Sequence, residues 1–277
     1  MNRLIMAIIV IVGVPAATVA YIAAIEWLMK RISYKIAPKV RPWLWVAPAL
    51  LMLTFYLIYP AINTARISLM NADSTEYVGW ANYKFAFTDP KMLTAFKNNV
   101  LWLIFFTGGT VLLGLLIAVL TDRVKYETLI KGIIFLPMAI SYVAAGVIWK
   151  LMYQFDPAGE PQTGTLNAIF TAIFPGFEPK AWLFNTTFNN AALIVIGVWM
   201  WTGFCMVVLS AALKGIPDEL IEATRVAGGN EWQIFWYVTL PLMKSTIAVV
   251  TTTMVINVLK IFDIVYVMTN GNLGTEV

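Results

Sequence analysis

Six long apolar runs constrain the fold more strongly than any other feature of this 277-residue sequence. They cover roughly residues 4–25, 43–62, 99–121, 132–153, 190–213 and 245–268. A run of about 18 or more apolar residues is long enough to cross a bilayer as a helix. Because a backbone in lipid must satisfy its polar groups internally, helices are expected rather than open strands. The sequence therefore predicts an all-α, polytopic membrane helical bundle with about six spans.

The composition agrees with a membrane protein. Hydrophobic residues make up 60% of the chain and charged residues 12%, whereas soluble domains average about 25% charged residues. The net charge of +4 comes mainly from one short segment beside a span, which is typical of a topology signal. We therefore expect membrane lipid as a partner and no nucleic acid.

The basic segment, residues 26–42, sets the predicted orientation. The first run begins like a secretory signal peptide, but its cleavage would leave the basic segment outside, against the positive-inside tendency. We therefore expect a retained span with its N-terminus outside. Residues 1–42 are predicted to form an extra N-terminal span and a basic cytoplasmic linker, distinct from a main bundle over residues 43–277. The charged residues of the segment are Glu26, Lys30, Arg31, Lys35, Lys39 and Arg41.

Alternation from this anchor gives the remaining topology. Residues 122–131 and 214–244 are expected on the cytoplasmic side, and residues 63–98 and 154–189 on the outer side. The two outer connections are long for a compact bundle, where about 2–8 residues are usual.

The residue types argue against chemistry within this chain. There is no histidine, and Cys205, inside an apolar run, is the single cysteine, so the commonest general base and a cysteine metal cluster are both excluded. The phosphate-binding pattern G-x-x-x-x-G-K-[ST] is also missing. We expect no catalytic residues, no metal and no cofactor, which leaves an integral-membrane transferase or protease with little support.

The stretch EATRVAGGNEWQIFWYVTLPL, residues 222–242, is too polar to span the membrane and too apolar for a free loop. Ahead of Gly228-Gly229, the spacing of small and apolar residues predicts a short helix with one narrow apolar stripe. The glycine pair predicts a sharp turn. An aromatic amphipathic stretch then follows, which we expect Pro241 to interrupt. Insertion into a groove of another protein and simple contact with lipid both remain open. The stripe consists of Ile216, Leu220, Ala223 and Ala227.

This segment resembles the signature of permease subunits of binding-protein-dependent ABC importers. That pattern is Glu-Ala-Ala, three residues, Gly, nine residues, then Ile-x-Leu-Pro, and the chain matches every spacing with Glu222-Ala223-Thr224, Gly228 and Val238-Thr239-Leu240-Pro241. The resemblance runs from about residue 43 to the end. FLPMAISYVAAGVIWKLMY, IPDELIEA and FDIVYVMTNG are similar to the sugar branch, the maltose-type inner-membrane permeases.

The chain also departs from the family pattern. Thr224 replaces the second Ala, Ala227 stands where an Asp is usual, and Val238 replaces Ile, so the chain lacks the carboxylate that the family pattern has before the Gly. Gly271-Asn272-Leu273 stands where the family shows Gly-Gly-Pro. The family has one more helix after this point, so a final span is expected to be missing.

The resemblance implies a type I ABC importer transmembrane domain in a bacterial inner membrane. Residues 214–244 would hold a coupling helix seated on a dimer of separate ATP-binding subunits, which bind the ATP. A second homologous permease and an extracytoplasmic sugar-binding protein would complete the importer, and the solute would be an oligosaccharide or glucoside. The implied coupling residues are Glu222, Ala223, Thr224, Ala227, Gly228, Gly229, Val238, Leu240 and Pro241.

A sugar path needs aromatic faces and hydrogen-bonding groups inside the spans. Charged residues there are costly, about 2.5–3.5 kcal/mol each, so Lys260 and Asp263 stand out. Their spacing of three places them close enough on one helix to pair, which is a structural alternative to a role in the path. A self-standing channel or secondary transporter remains the alternative function. The candidate path residues, each with a packing alternative, are Trp149, Trp199, Asn257, Lys260, Asp263 and Tyr266.

Overall fold

The computed structural model of the chain describes residues 3–122, 124–157, 159–271 and 274–277. Asn272 and Leu273, part of the departure from the family's Gly-Gly-Pro, lie outside the described residues. The described part is helical, and the bridge between Met70 and Tyr77 is its one β-type pairing. The helices are α1 Arg3–Met29, α2 Ala37–Ile67, α3 Ala81–Thr88, α4 Pro90–Thr121, α5 Glu127–Phe135, α6 Tyr142–Met152, α7 Thr165–Ile173, α8 Asn189–Lys214, α9 Asp218–Val226, α10 Glu231–Leu259 and α11 Asp263–Thr269.

The predicted all-α membrane fold is confirmed. Five helices of the described chain, α1, α2, α4, α8 and α10, are long and apolar enough to cross a membrane. A sixth span is present if α5 and α6, which meet at a bend of 101°, are counted together.

The chain divides into two compact units, Met1–Phe85 and Ala86–Val277. In the first unit, α1 and α2 pack together, and the Tyr21 hydroxyl donates to the Leu44 carbonyl at 2.6 Å. Arg41 and Glu26 form an ion pair at 2.7 Å across the basic segment. The predicted division at residue 42 remains a prediction.

In the second unit, α8 is the central helix and packs most closely against α4. At Gly114 an added Cβ would lie 2.6 Å from the Cys205 Cβ, so only glycine permits this approach of the two backbones. The fully buried side chains around this contact form the core, which includes Trp102, Phe106, Leu193, Ile196, Met206 and Leu209. Close helix approach at small residues is the usual basis of helix packing in membranes.

The predicted span 132–153 is wrong as a single helix. Residues Leu136–Ala139 form a 3-10 turn, and Ile140 is extended before α6 begins. Pro137 lacks the N–H that an uninterrupted helix requires, and the Ser141 hydroxyl caps the new helix by accepting from the Ala144 N–H at 3.2 Å. The sequence thus stops one helix and starts another inside the same apolar run.

The predicted span 245–268 is also wrong in both of its bounds. The helix begins earlier, at Glu231, and ends at Leu259, after which residues 260–262 separate α10 from α11. Pro241 does not interrupt α10, because a π-helical turn, Phe235–Thr239, precedes it and the Leu240 N–H bonds to the Phe235 carbonyl. In a regular α-helix, the ring of Pro241 would clash with the carbonyl four residues earlier. The wider π-helical turn shifts the register of the helix ahead of the proline and relieves that clash.

The connection 154–189, which is predicted on the outer side, is built around Asn167, whose side chain is fully buried. Its amide donates to the carbonyls of Gln154 and Lys180, and its oxygen accepts from the Lys180 N–H and the Trp182 indole, all at 3.0 Å. Hydrogen bonds from the Thr163 N–H and hydroxyl lower the pKa of Asp156 in the same connection. This long connection is therefore a folded part of the bundle.

Candidate coupling surface and solute cavity

The start and the end of helix α9 are specified by its own sequence. Pro217 precedes its first residue, Asp218 and Glu219 lie in its first turn, and Arg225 lies in its last turn. These charges match the helix dipole, which favours acids at the N-terminus and bases at the C-terminus. The expectation of a short helix between the long ones is thereby confirmed.

One face of α9 packs on the bundle and the other is exposed. Ile221 lies against the core, and Ile216, the first member of the predicted stripe, is itself buried. The exposed stripe is therefore shorter than predicted, because its first residue, Ile216, packs in the core of the bundle. The exposed face, here called the coupling surface, presents Val226 at 89% exposure and consists of Leu220, Glu222, Ala223, Val226 and Ala227.

The turn after α9 is a Schellman motif, in which two backbone hydrogen bonds close the end of a helix. The Gly229 N–H bonds to the Thr224 carbonyl and the Gly228 N–H to the Arg225 carbonyl, both at 2.9 Å. Gly228 has φ +87°, in the region that favours glycine. The sharp turn predicted from Gly228-Gly229 is thus confirmed.

The turn is reinforced on its far side. Asn230 and Gln233 form a capping box at the start of α10, with two reciprocal hydrogen bonds of 2.9 Å. Arg225 at the end of α9 pairs with Glu231 at the start of α10, with the Nε–Oε1 distance at 2.9 Å. These contacts hold α9 and α10 at a defined angle.

The signature residues fall into three groups. Glu222, Ala223, Ala227 and Gly228 are exposed on α9 and its turn. Three others lie farther along the chain within α10: Val238 and Leu240 are half-buried, and Pro241 is exposed on the same helix. Thr224 and Gly229 are half-buried in the turn. The second half of the signature therefore positions the segment from within the bundle.

A separate cavity of about 740 Å³ lies where the two helix breaks meet. The start of α6 and the start of α11 both line it, and these two helices pack against each other. Interrupted helices inside a membrane are found where the backbone lines a protein cavity, and transporters place solute sites at such points. The lining residues are Met138, Ile140, Ser141, Tyr142, Val143, Met200, Trp201, Asp263, Tyr266 and Val267.

Polar groups and aromatic rings converge in this cavity. The Trp201 indole N–H donates to the Tyr142 hydroxyl at 2.8 Å. Tyr266 stacks on Phe262 with ring centroids 5.2 Å apart. The arrangement offers hydroxyl, carboxylate and ring surfaces together.

The structure separates the predicted path residues. Asp263 and Tyr266 line this cavity, whereas Trp149 and Trp199 meet edge to face at 5.7 Å beside a different, apolar cavity of about 930 Å³. Asn257 bonds within α10 to the Thr253 carbonyl at 3.1 Å. Neither cavity lining includes Asn257.

The ion pair between Lys260 and Asp263, the structural alternative to a role in the path, is not formed among the described residues. Lys260 is exposed in the segment after α10 ends, and Asp263 begins a new helix. The spacing of three brings side chains together only on a continuous helix. The break places Asp263 in the cavity, whose lining does not include Lys260.

Several residues of both sites lie outside the set of predicted site residues. Ser141 and Tyr142 follow Pro137 by four and five positions, and a proline followed by a capping serine is a signal for a helix break. Arg225 and Glu231 flank the glycine pair, which is a signal for an ion pair across a turn. Trp201 has the aromatic chemistry that a sugar path needs, and packing brings its indole to Tyr142, 59 positions away in the sequence.

Comparison with known proteins agrees with this geometry. Residues 110–277 match the family described as binding-protein-dependent transport system inner membrane component. The chain is 58% identical over 234 residues to the osmoprotective compounds uptake permease protein GgtC of Synechocystis sp., covering 84% of this chain and 83% of that protein. It is 47% identical over 245 residues to the α-glucoside transport system permease protein AglF of Rhizobium meliloti, covering 88% and 72%.

Solved structures share the fold. A bacterial ABC transporter involved in import of the acidic polysaccharide alginate superposes with a TM-score of 0.68 at 22% identity, covering 87% of this chain and 83% of that chain. The same TM-score is found, at 23% identity and with 88% and 82% coverage, for a bacterial alginate ABC transporter in complex with a periplasmic protein that carries an alginate pentasaccharide. The predicted ABC importer transmembrane fold is confirmed.

Proposed function

We propose a solute class and an energy source for this chain, which belongs to the family of binding-protein-dependent transport system inner membrane components. It is a multi-pass permease subunit of a bacterial inner membrane. The proposed solute is a sugar, either an oligosaccharide or a glucoside, delivered by an extracytoplasmic binding protein. The relative named for α-glucoside transport supports this solute class.

ATP hydrolysis is proposed to take place in a dimer of separate ATP-binding subunits, which seat on the coupling surface of α9. The observation that carries this proposal is the exposed face of α9, held by the Schellman turn and by the Arg225–Glu231 pair. An exposed helix can transmit the movement of a bound ATP-binding subunit to the membrane helices only if its angle to the bundle is fixed. Here backbone hydrogen bonds and side-chain contacts fix that angle on both sides of Gly228.

The solute path is proposed to run past the cavity at the two helix breaks. Tyr142, Asp263 and Tyr266 line it, and they offer the hydrogen-bonding groups and ring faces that bind sugar hydroxyls and C–H surfaces. A second, homologous permease would complete the path. Lys260 is exposed beside the break and Asn257 is half-buried on α10, so both fit the edge of such a path rather than this cavity. Trp149 and Trp199 support the bundle.

The test is uptake of radiolabelled maltose by proteoliposomes. They contain this chain, its second permease and ATP-binding subunit, and the solute-binding protein encoded with them, with and without internal ATP. Uptake that needs both ATP and the binding protein is the expected result. Uptake by this chain alone without ATP would instead support the alternative, a secondary transporter or channel.

A further inference from the structure

The cavity at the two helix breaks contains one formal charge. Among the described residues that line it, Asp263 is the sole acid and no base is present. The other polar groups there are the hydroxyls of Ser141, Tyr142 and Tyr266 and the indole of Trp201. A solute in this cavity therefore meets a negative charge surrounded by neutral groups.

The negative charge of Asp263 is not neutralised by a neighbour. No ion pair to Asp263 is formed within the described ranges, and Lys260, the nearest base along the chain, is exposed beyond the cavity lining. Asp263 is itself exposed and lies in the first turn of α11.

The surrounding groups suit a solute rich in hydroxyls. A carboxylate has two oxygens that accept hydrogen bonds, so Asp263 can bind two adjacent hydroxyls of one ring. Because the Tyr142 hydroxyl already accepts from the Trp201 indole at 2.8 Å, its own proton remains free to donate to a solute oxygen. The ring of Tyr266, which is held by stacking on Phe262 outside the lining, adds an aromatic surface.

We infer that Asp263 makes this cavity selective for uncharged sugars and excludes sugars that carry a carboxylate. The inference rests on the proposed function, because it assigns the charge preference of the same solute site. The fold itself does not set this preference, since it also occurs in an importer of an acidic polysaccharide. The selectivity would therefore come from the side chain that this sequence places at the second break.

Electrostatic repulsion gives the expected size of the effect. At an effective dielectric constant of about 20, a solute carboxylate about 8 Å from Asp263 would bind about 30-fold more weakly than the neutral sugar. That ratio corresponds to ~2 kcal/mol, at about 1.4 kcal/mol for each factor of ten. Replacing the carboxylate of Asp263 by an amide removes the charge and keeps the size of the side chain, so it should abolish most of this preference for the neutral sugar.

The test is equilibrium dialysis of the purified complex of both permeases with the ATP-binding subunits, without the binding protein, which would otherwise impose its own specificity. Radiolabelled maltose is compared with a disaccharide of glucuronic acid and glucose, which differs by one carboxylate. The variants are wild type, Asp263→Asn and, as a control of equal charge change, Asp73→Asn. Asp73 lies in the exposed turn after α2 and does not line the cavity.

Wild type and Asp73→Asn should both prefer maltose by about 30-fold, and Asp263→Asn should reduce that preference to within about threefold. Equal binding of both sugars by wild type would overturn the inference while leaving the sugar site in place. A preference that persists in Asp263→Asn would also overturn it, because the charge discrimination would then arise elsewhere. Failure of both sugars to bind wild type would overturn the proposed site, and the inference with it.

Discussion

The proposed coupling surface and the proposed solute cavity are built in opposite ways. The coupling turn is made by neighbours in sequence, since Thr224, Gly228 and Gly229 close it through backbone hydrogen bonds. The cavity joins Tyr142 to Asp263 and Trp201, which are far apart in the sequence. A local motif gives an exposed turn, whereas two helix breaks brought together by packing place a few polar side chains along a mostly apolar, partly exposed cavity. The comparison predicts that substitutions in the two regions affect different steps of transport.

The largest expected effect is at Gly228. Proline there removes the N–H that bonds to the Arg225 carbonyl and cannot adopt φ +87°. Gly228→Pro should lower uptake at least tenfold while ATP hydrolysis continues without transport, because a distorted turn costs about 3 kcal/mol or more. Proteoliposome uptake and ATPase activity, measured on the same preparation, check this result.

Gly228→Asn is the matched control for that change. Asparagine tolerates the left-handed conformation at a helix end better than other side chains, and an added Cβ meets nothing within 4 Å. Uptake should stay within about twofold of wild type. Equal loss in both variants would mean that the position tolerates no side chain at all, and that the turn conformation is not the cause.

A smaller effect is expected in the cavity. Tyr142→Phe removes the hydroxyl that is proposed to donate to the solute while it accepts from the Trp201 indole, and one net hydrogen bond contributes about 1 kcal/mol. The solute dissociation constant of the complex should rise about fivefold, while the ratio of ATP hydrolysed to solute transported stays unchanged. Equilibrium dialysis and coupled transport assays measure the two quantities.

Tyr34→Phe is the control for this substitution. Tyr34 is 91% exposed in the basic segment and belongs to neither region, so the loss of its hydroxyl should change neither quantity. A change in the ratio of ATP hydrolysed to solute transported in Tyr142→Phe would contradict the prediction that the two regions affect different steps.

The smallest effect is expected at the ion pair across the coupling turn. Arg225 and Glu231 have side-chain exposures of 45% and 76%, and exposed pairs contribute roughly 0.2–1 kcal/mol. A double-mutant cycle with Arg225→Gln and Glu231→Gln should show a coupling energy in that range for association with the ATP-binding subunit, and high salt should reduce it. An energy that does not change with salt would indicate a packing role instead.

Much of the coupling segment could be predicted from sequence because its signals are local. Pro217, the acids after it and Gly228-Gly229 specify a helix and a turn within a few residues. The error at Pro241 has a physical cause as well. A π-helical turn before the proline keeps α10 continuous, and no simple sequence rule marks such a turn.

The cavity could be predicted only in part. Asp263 and Tyr266 stood out as polar or aromatic residues in an apolar run. The break after Leu259, however, carries neither glycine nor proline, and it follows from packing. The neighbours Ile264 and Val265 are both buried beside it, which requires contacts from helices distant in sequence. Trp149 and Trp199 were chosen for their chemistry, but their positions in the bundle depend on the same distant contacts.

The central claim is that the exposed face of α9 seats an ATP-binding subunit, and a pair of cysteine variants tests it most directly. The single native cysteine, Cys205, is fully buried, so an introduced cysteine is the accessible thiol. Ala223→Cys lies on the coupling surface, and Ile221→Cys lies on the face of α9 that packs on the core. Each is labelled with benzophenone maleimide in the assembled transporter and irradiated. We expect a cross-link to the ATP-binding subunit from Ala223→Cys and none from Ile221→Cys; no cross-link from Ala223→Cys, or equal cross-links from both, would contradict the claim.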